Sequence, residues 1–104
     1  MNAIQGVLYE ELENSIRIKE RYVDALLQIK KGCLRKKIVN GKEYFYLAYR
    51  EGVKVKYSYL GKLSEQQIKE YRENQKKRKE YQESIRTLNQ QIKYLRKVVN
   101  VKTK

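Results

Sequence analysis

Two kinds of side chain in this sequence could act on a partner. Lysine and arginine neutralise phosphates, and tyrosine stacks on bases or hydrogen-bonds to a sugar-phosphate backbone. The 104 residues hold 25 Lys and Arg and ten Tyr against 12 Asp and Glu, a formal net charge of +13. The two kinds interleave most closely in the middle of the chain, where Arg35, Lys37, Tyr44, Tyr46, Lys54 and Lys56 are the candidate nucleic-acid contacts. A second basic cluster, Lys76-Lys77-Arg78-Lys79, spreads around a helix and cannot face one groove. Its Lys76, Lys77 and Lys79 are expected to add non-specific, salt-dependent phosphate contact.

Other chemistries find no support. There is no histidine and a single cysteine, Cys33, so neither an internal disulfide nor an ordinary zinc or haem site can be assembled. Cys33 is expected to be a buried structural thiol. A tyrosine nucleophile needs a positioned arginine with histidine or lysine in a much larger catalytic domain, and no paired-carboxylate or glycine-rich phosphate motif is evident. No catalytic residue, metal ligand or cofactor is therefore assigned, and the expectation is a non-enzymatic protein. No stretch approaches the ~20 apolar residues of a membrane span, and no charged region followed by an apolar run opens the chain. A cytoplasmic protein without membrane contact is expected.

The elements that must position these residues follow from periodicity. The length suits a single domain over residues 1–104. Leu12, Ile16, Val23, Leu26 and Leu27 recur at three-and-four spacing and predict a helix over about 7–31, with Lys30, Lys31 and Gly32 as its stop. Residues 1–31 carry no net charge, whereas 32–63 carry +6 and 64–104 carry +7. Between Gly32 and Gly61 the period falls to two, predicting strands at about 33–39, 42–49 and 53–60.

Asn40-Gly41 suits a two-residue type I′ turn, which pairs Arg35 with Tyr46, Lys37 with Tyr44 and Leu34 with Leu47. For the second turn a three-residue loop, Arg50-Glu51-Gly52, is expected, because it pairs Tyr49 with Val53, Leu47 with Val55 and Phe45 with Tyr57. One face would then hold Leu34, Ile38, Phe45, Leu47, Tyr49, Val53, Val55 and Tyr57. The other would hold Arg35, Lys37, Tyr44, Tyr46, Lys54, Lys56 and Ser58. Ser64 and Gln67 form a capping box that starts a second helix over about 64–99, followed by a short tail. The fold class is α+β: an N-terminal helix, a three-stranded antiparallel β-meander and a long C-terminal helix.

In heptad terms the second helix places Tyr71, Arg78, Ile85, Ile92 and Val99 at one core position, and Asn74, Tyr81, Leu88 and Leu95 at the other. If Lys31 lies level with Ser64, the first helix runs out near residue 88. The seam of Ile85, Leu88, Ile92, Leu95 and Val99 would then project past its partner. Such a seam is costly in water, at about 1.5–3 kcal/mol per side chain. Two covers are open: the remaining N-terminal segment with Ile4, Val7 and Leu8, or self-association as a helical homodimer that makes the seam an oligomer interface.

The stretch from Lys31 to Leu63 carries Tyr44-Phe45-Tyr46-Leu47, Tyr49-Arg50-Glu51-Gly52, a lysine-rich third strand and Tyr59-Leu60-Gly61-Lys62-Leu63. It resembles a small domain of unknown function found in phage and mobile-element proteins, and is similar to the N-terminal β-sheet region of some insertion-sequence transposases. The resemblance implies a phage or mobile-element setting and nucleic-acid handling, and carries no catalytic residues. The expected function is a nucleic-acid-binding accessory protein, of DNA or RNA, working through the basic, tyrosine-rich sheet face. The alternative is a phage-borne interaction factor or inhibitor, anti-CRISPR-like, that docks on a nucleoprotein enzyme.

Overall fold

A helix, a three-stranded antiparallel meander and a longer helix follow one another along the chain, an α+β fold, and the computed structural model describes residues 3–101. Helix α1 is Ala3–Gln28; strands β1, β2 and β3 are Cys33–Val39, Lys42–Glu51 and Lys54–Gly61; helix α2 is Glu65–Val101. The tail expected after residue 99 is helical to Val101, and residues 102–104 lie outside the described residues. The chain divides into two compact units: α1 with α2 from Glu80 onward, and residues 29–79, which hold the sheet and the first part of α2.

In the sheet unit β2 is central. Asn40 and Gly41 take φ of 52° and 75°, the pair of positive values that a type I′ turn requires. The β1–β2 register is as the turn dictates, with Arg35 opposite Tyr46, Lys37 opposite Tyr44, Leu34 opposite Leu47 and Ile38 opposite Glu43.

The second hairpin differs from expectation. Glu51 pairs with Lys54, Tyr49 with Lys56 and Leu47 with Ser58, so the loop has two residues, Gly52-Val53, and not three. Glycine at the first central position, with φ of 63°, is what a type II′ turn asks for, and its twist matches that of the flanking strands. A one-residue change of register exchanges the faces of β3. Val53, Val55 and Tyr57 therefore leave the side of Phe45 and Leu47, and Lys54 and Lys56 join it. Val53 at the turn is 96% exposed. Two contacts favour this register: Glu51 reaches Lys56 at 3.1 Å, and Tyr57 meets Tyr46 edge to face at 5.5 Å. The ladder shifts between Phe45 and Tyr46, where Leu60 is the additional residue on β3.

Phe45 and Leu47, each 3% exposed, form the core of this unit. Along the first part of α2 the half-buried residues Ile68, Tyr71, Gln75 and Arg78 mark one side of the helix. That side meets the segment entering β1: Gln75 Oε1 accepts from the Leu34 amide at 3.2 Å, and Arg78 Nη1 donates to the Ile29 carbonyl at 3.2 Å. Gly32 was expected to cap α1, but the helix ends four residues earlier, at Gln28. Gly32 instead takes φ of 127° where the chain passes over Leu47.

Helix α2 begins with the expected capping box. Ser64 Oγ accepts from the Gln67 amide at 3.2 Å, and Gln67 Oε1 accepts from the Ser64 amide at 2.9 Å. Ser64→Ala removes the first of these bonds and should lower stability by about 1 kcal/mol, measured as a shift in the urea midpoint. Ser64→Asp, which restores the acceptor, should recover most of it.

In the helical unit α1 runs antiparallel to α2. Tyr22 meets Tyr81 with ring centroids 5.6 Å apart, and Gln91 Nε2 donates to Ser15 Oγ at 3.2 Å. The level is thus Tyr22 with Tyr81, not Lys31 with Ser64, because residues 65–79 belong to the sheet unit. With this offset α1 reaches the end of the seam, and Ile92, Leu95 and Val99 are buried within the single chain, while Ile85 and Leu88 are half-buried. Self-association through Ile92, Leu95 and Val99 would require α1 to leave them, whereas Ile85 and Leu88 keep part of their surface open. The inward side of α1 includes Gln5, Leu8, Leu12 and Ser15, whereas Ile4, Val7 and Leu27 are exposed. Its most buried member is polar: Ser15 is 2% exposed, and its bond to Gln91 satisfies a hydroxyl that would otherwise be costly to bury.

Candidate nucleic-acid interface

The register sorts the sheet's side chains onto two dissimilar faces. The inner face has Leu34, Phe45, Leu47 and Tyr49 at its centre. It also carries both acidic residues of the sheet: Glu43 bonds to Lys36 at 3.3 Å and Glu51 to Lys56 at 3.1 Å. The outer face carries no acidic residue. On it lie Arg35 and Lys37 of β1, Lys42, Tyr44, Tyr46 and Arg50 of β2, and Val55, Tyr57 and Tyr59 of β3.

Each strand contributes by alternation. Arg35 and Lys37 stand directly across from Tyr46 and Tyr44, and Tyr59 stands across from Tyr46 on the other side. The rings are held in different ways. Tyr46 and Tyr57 meet at an interplanar angle of 69°, and Lys62 Nζ lies 5.9 Å from the centroid of Tyr44. The ring of Tyr59 lies over Gly61, where an added Cβ would stand 3.7 Å from it. Tyr44 and Tyr46 are half-buried, while Tyr57 and Tyr59 are 65% and 72% exposed.

Charge is equally uneven between the units. Residues 29–79 hold sixteen Lys and Arg against five Asp and Glu, net +11, while the remaining residues hold nine against seven, net +2. The sheet unit therefore carries nearly all of the field that would draw a polyanion.

Of the residues named from sequence, the structure brings Arg35, Lys37, Tyr44 and Tyr46 together on the outer face. It puts Lys54 and Lys56 on the inner face, opposite Glu51 and Tyr49. Lys76, Lys77 and Lys79 are exposed on α2, and Arg78 of that run is half-buried at the Ile29 carbonyl. Sequence reasoning missed Tyr57, Tyr59, Lys42 and Arg50 as members of this face. The signal for the two tyrosines was present in Gly52-Val53, whose glycine in the first turn position marks a type II′ hairpin. Cys33, expected to be buried, is half-buried.

Among the described residues, no group of three His, Cys, Asp or Glu stands where it could hold a metal ion, and no helix is long and apolar enough to cross a membrane. A family model described as a domain of unknown function (DUF6788) matches residues 9–70, over half of the chain. No curated protein and no solved structure matches.

Proposed function

We propose that this chain, which belongs to the family of the domain of unknown function DUF6788, is a non-enzymatic nucleic-acid-binding accessory protein. Its contact surface is the outer face of the sheet. The observation that carries this is the sorting of charge: both acidic residues of the sheet lie on the inner face, which leaves Arg35, Lys37, Lys42 and Arg50 beside four tyrosines with no carboxylate among them. A merely solvated face gains nothing from such one-sidedness, since like charges crowded on a sheet repel. A phosphate backbone reverses the sign of that cost. The setting proposed with this function is a phage or mobile element, in the cytoplasm, as the resemblance of residues 31–63 implies.

Fluorescence anisotropy with labelled DNA and RNA across a salt series tests the surface. Arg35→Glu/Lys37→Glu should weaken binding at least tenfold near 0.1 M salt. It should also flatten the slope of log K against log salt by about two, one for each phosphate that is no longer neutralised. Arg17→Glu/Arg21→Glu changes the net charge equally but on exposed positions of α1, and should have little effect. Equal weakening by the two double variants would mean that only overall charge matters and would remove the sheet face as the site. An absence of binding at low salt would leave docking on a nucleoprotein enzyme as the better account.

A further inference from the structure

We infer that the outer sheet face takes unpaired bases, so that the ligand is a single strand of DNA or RNA and not a duplex; this rests on the nucleic-acid function proposed above. The register supplies the main argument. By turning Tyr57 and Tyr59 outward, the two-residue turn adds two rings more exposed than Tyr44 and Tyr46 to the face that already holds those two. The two are alternate residues of one strand, so their attachment points lie about 6.6 Å apart along β3. Each is braced by a neighbour while its ring stays open to solvent: Tyr57 by the edge contact with Tyr46, and Tyr59 by lying over Gly61. Rings held in this way lose little freedom when a base is laid on them. Stacking is also tolerant of sequence, because every base has a π-face.

A duplex cannot use these rings. Its bases are stacked on one another and show only their edges in the grooves, and the major groove admits a helix or a two-stranded ribbon. With neighbouring strands about 4.8 Å apart, a three-stranded sheet presented face-on is too broad to enter, and its tyrosines would meet only phosphate and sugar. A single strand has bases to splay outward. The sheet offers separate places for its two parts, since the cations Arg35 and Lys37 line β1 while Tyr57 and Tyr59 line β3 at the opposite edge. A backbone following β1 can therefore lay its bases across β2 toward β3, the manner in which sheet-based RNA readers use their aromatic rings.

The test compares three labelled probes of equal length on the wild-type protein: a 20-nucleotide single strand, an abasic strand with the same phosphates, and a duplex. The single strand should bind at least tenfold more tightly than either of the others at the same salt. Tyr57→Ala and Tyr59→Ala should each weaken single-strand binding by about fivefold to a hundredfold and leave abasic binding unchanged. Tyr57→Phe and Tyr59→Phe keep the ring and should retain wild-type affinity. Equal affinity for the single and abasic strands, or a preference for duplex, would overturn the stacking inference while leaving nucleic-acid binding intact. Failure of all three probes to bind would overturn both. The probe comparison uses the unaltered protein, so it decides the matter even if an alanine variant misfolds.

Discussion

Phe45→Ala is expected to destabilise the sheet unit by about 3–5 kcal/mol, the usual cost of deleting a buried aromatic ring, and to abolish the proposed binding of nucleic acid although Phe45 is on the opposite face. The unit is small, and only Phe45 and Leu47 in it are hydrophobic side chains buried to 3% exposure. Neither cross-strand partner is an apolar side chain that could fill the space: the residue faces Lys36 across one ladder and Gly61, next to the bulge, across the other. Marginal domains hold roughly 5–15 kcal/mol in all, so the loss is a large share of the total. Binding fails with it because Phe45 lies between Tyr44 and Tyr46 on the central strand, and their outward direction depends on the pleat that its burial fixes. Urea unfolding followed by tyrosine fluorescence measures the first effect and anisotropy the second. A midpoint shift worth under ~1 kcal/mol would show that the core of this unit lies elsewhere.

The sequence was most legible where turn chemistry and periodicity agreed. Asn40-Gly41 favours a type I′ turn, and the β1–β2 register follows from it residue by residue. Ser64 and Gln67 likewise announced the start of α2 through a local bond pair that needs no tertiary context. Every heptad position named on α2 is at least half-buried except Asn74, whose place is taken by Gln75 with its bond to Leu34.

Legibility failed where two rules competed. At the second hairpin, hydrophobic alternation favoured a three-residue loop, because that loop kept valines opposite Leu47 and Tyr49. The structure gives precedence to the turn, since a positive-φ glycine followed by one residue closes the strands with their natural twist. The exposed Val53 and Val55 are the cost, and the outward tyrosines are the consequence. The helix offset failed for a different reason. Counting from the sheet assumed that both helices begin level with it, whereas Tyr22 stands level with Tyr81 and residues 65–79 of α2 belong to the sheet unit. Periodicity along one element carries no information on which part of another it will meet. The seam that this misplacement left bare is closed by α1 itself, with Ser15 and Gln91 joined across it.

Gly32→Ala should be the most damaging glycine-to-alanine change in the chain, at about 2–4 kcal/mol, because it combines two costs that no other glycine combines. At φ of 127° an L residue is strained whatever the space around it. Space is also lacking: an added Cβ would stand 2.7 Å from Leu47 Cγ and 3.0 Å from the Ala48 carbonyl oxygen. Neither atom can give way, since Leu47 is in the core and the carbonyl belongs to the central strand. Gly41→Ala provides the comparison. It too has positive φ, 75°, but nothing lies within 4 Å of its added Cβ, so only the backbone strain of about 1–2 kcal/mol remains. Thermal or urea unfolding of the two variants should therefore separate them by at least ~1 kcal/mol, with Gly32→Ala the less stable. Equal destabilisation would mean that the close passage of the chain over Leu47 does not hold in solution. The entry to β1, from which the outer face takes its cations, would then be set by the turn at Asn40-Gly41 alone.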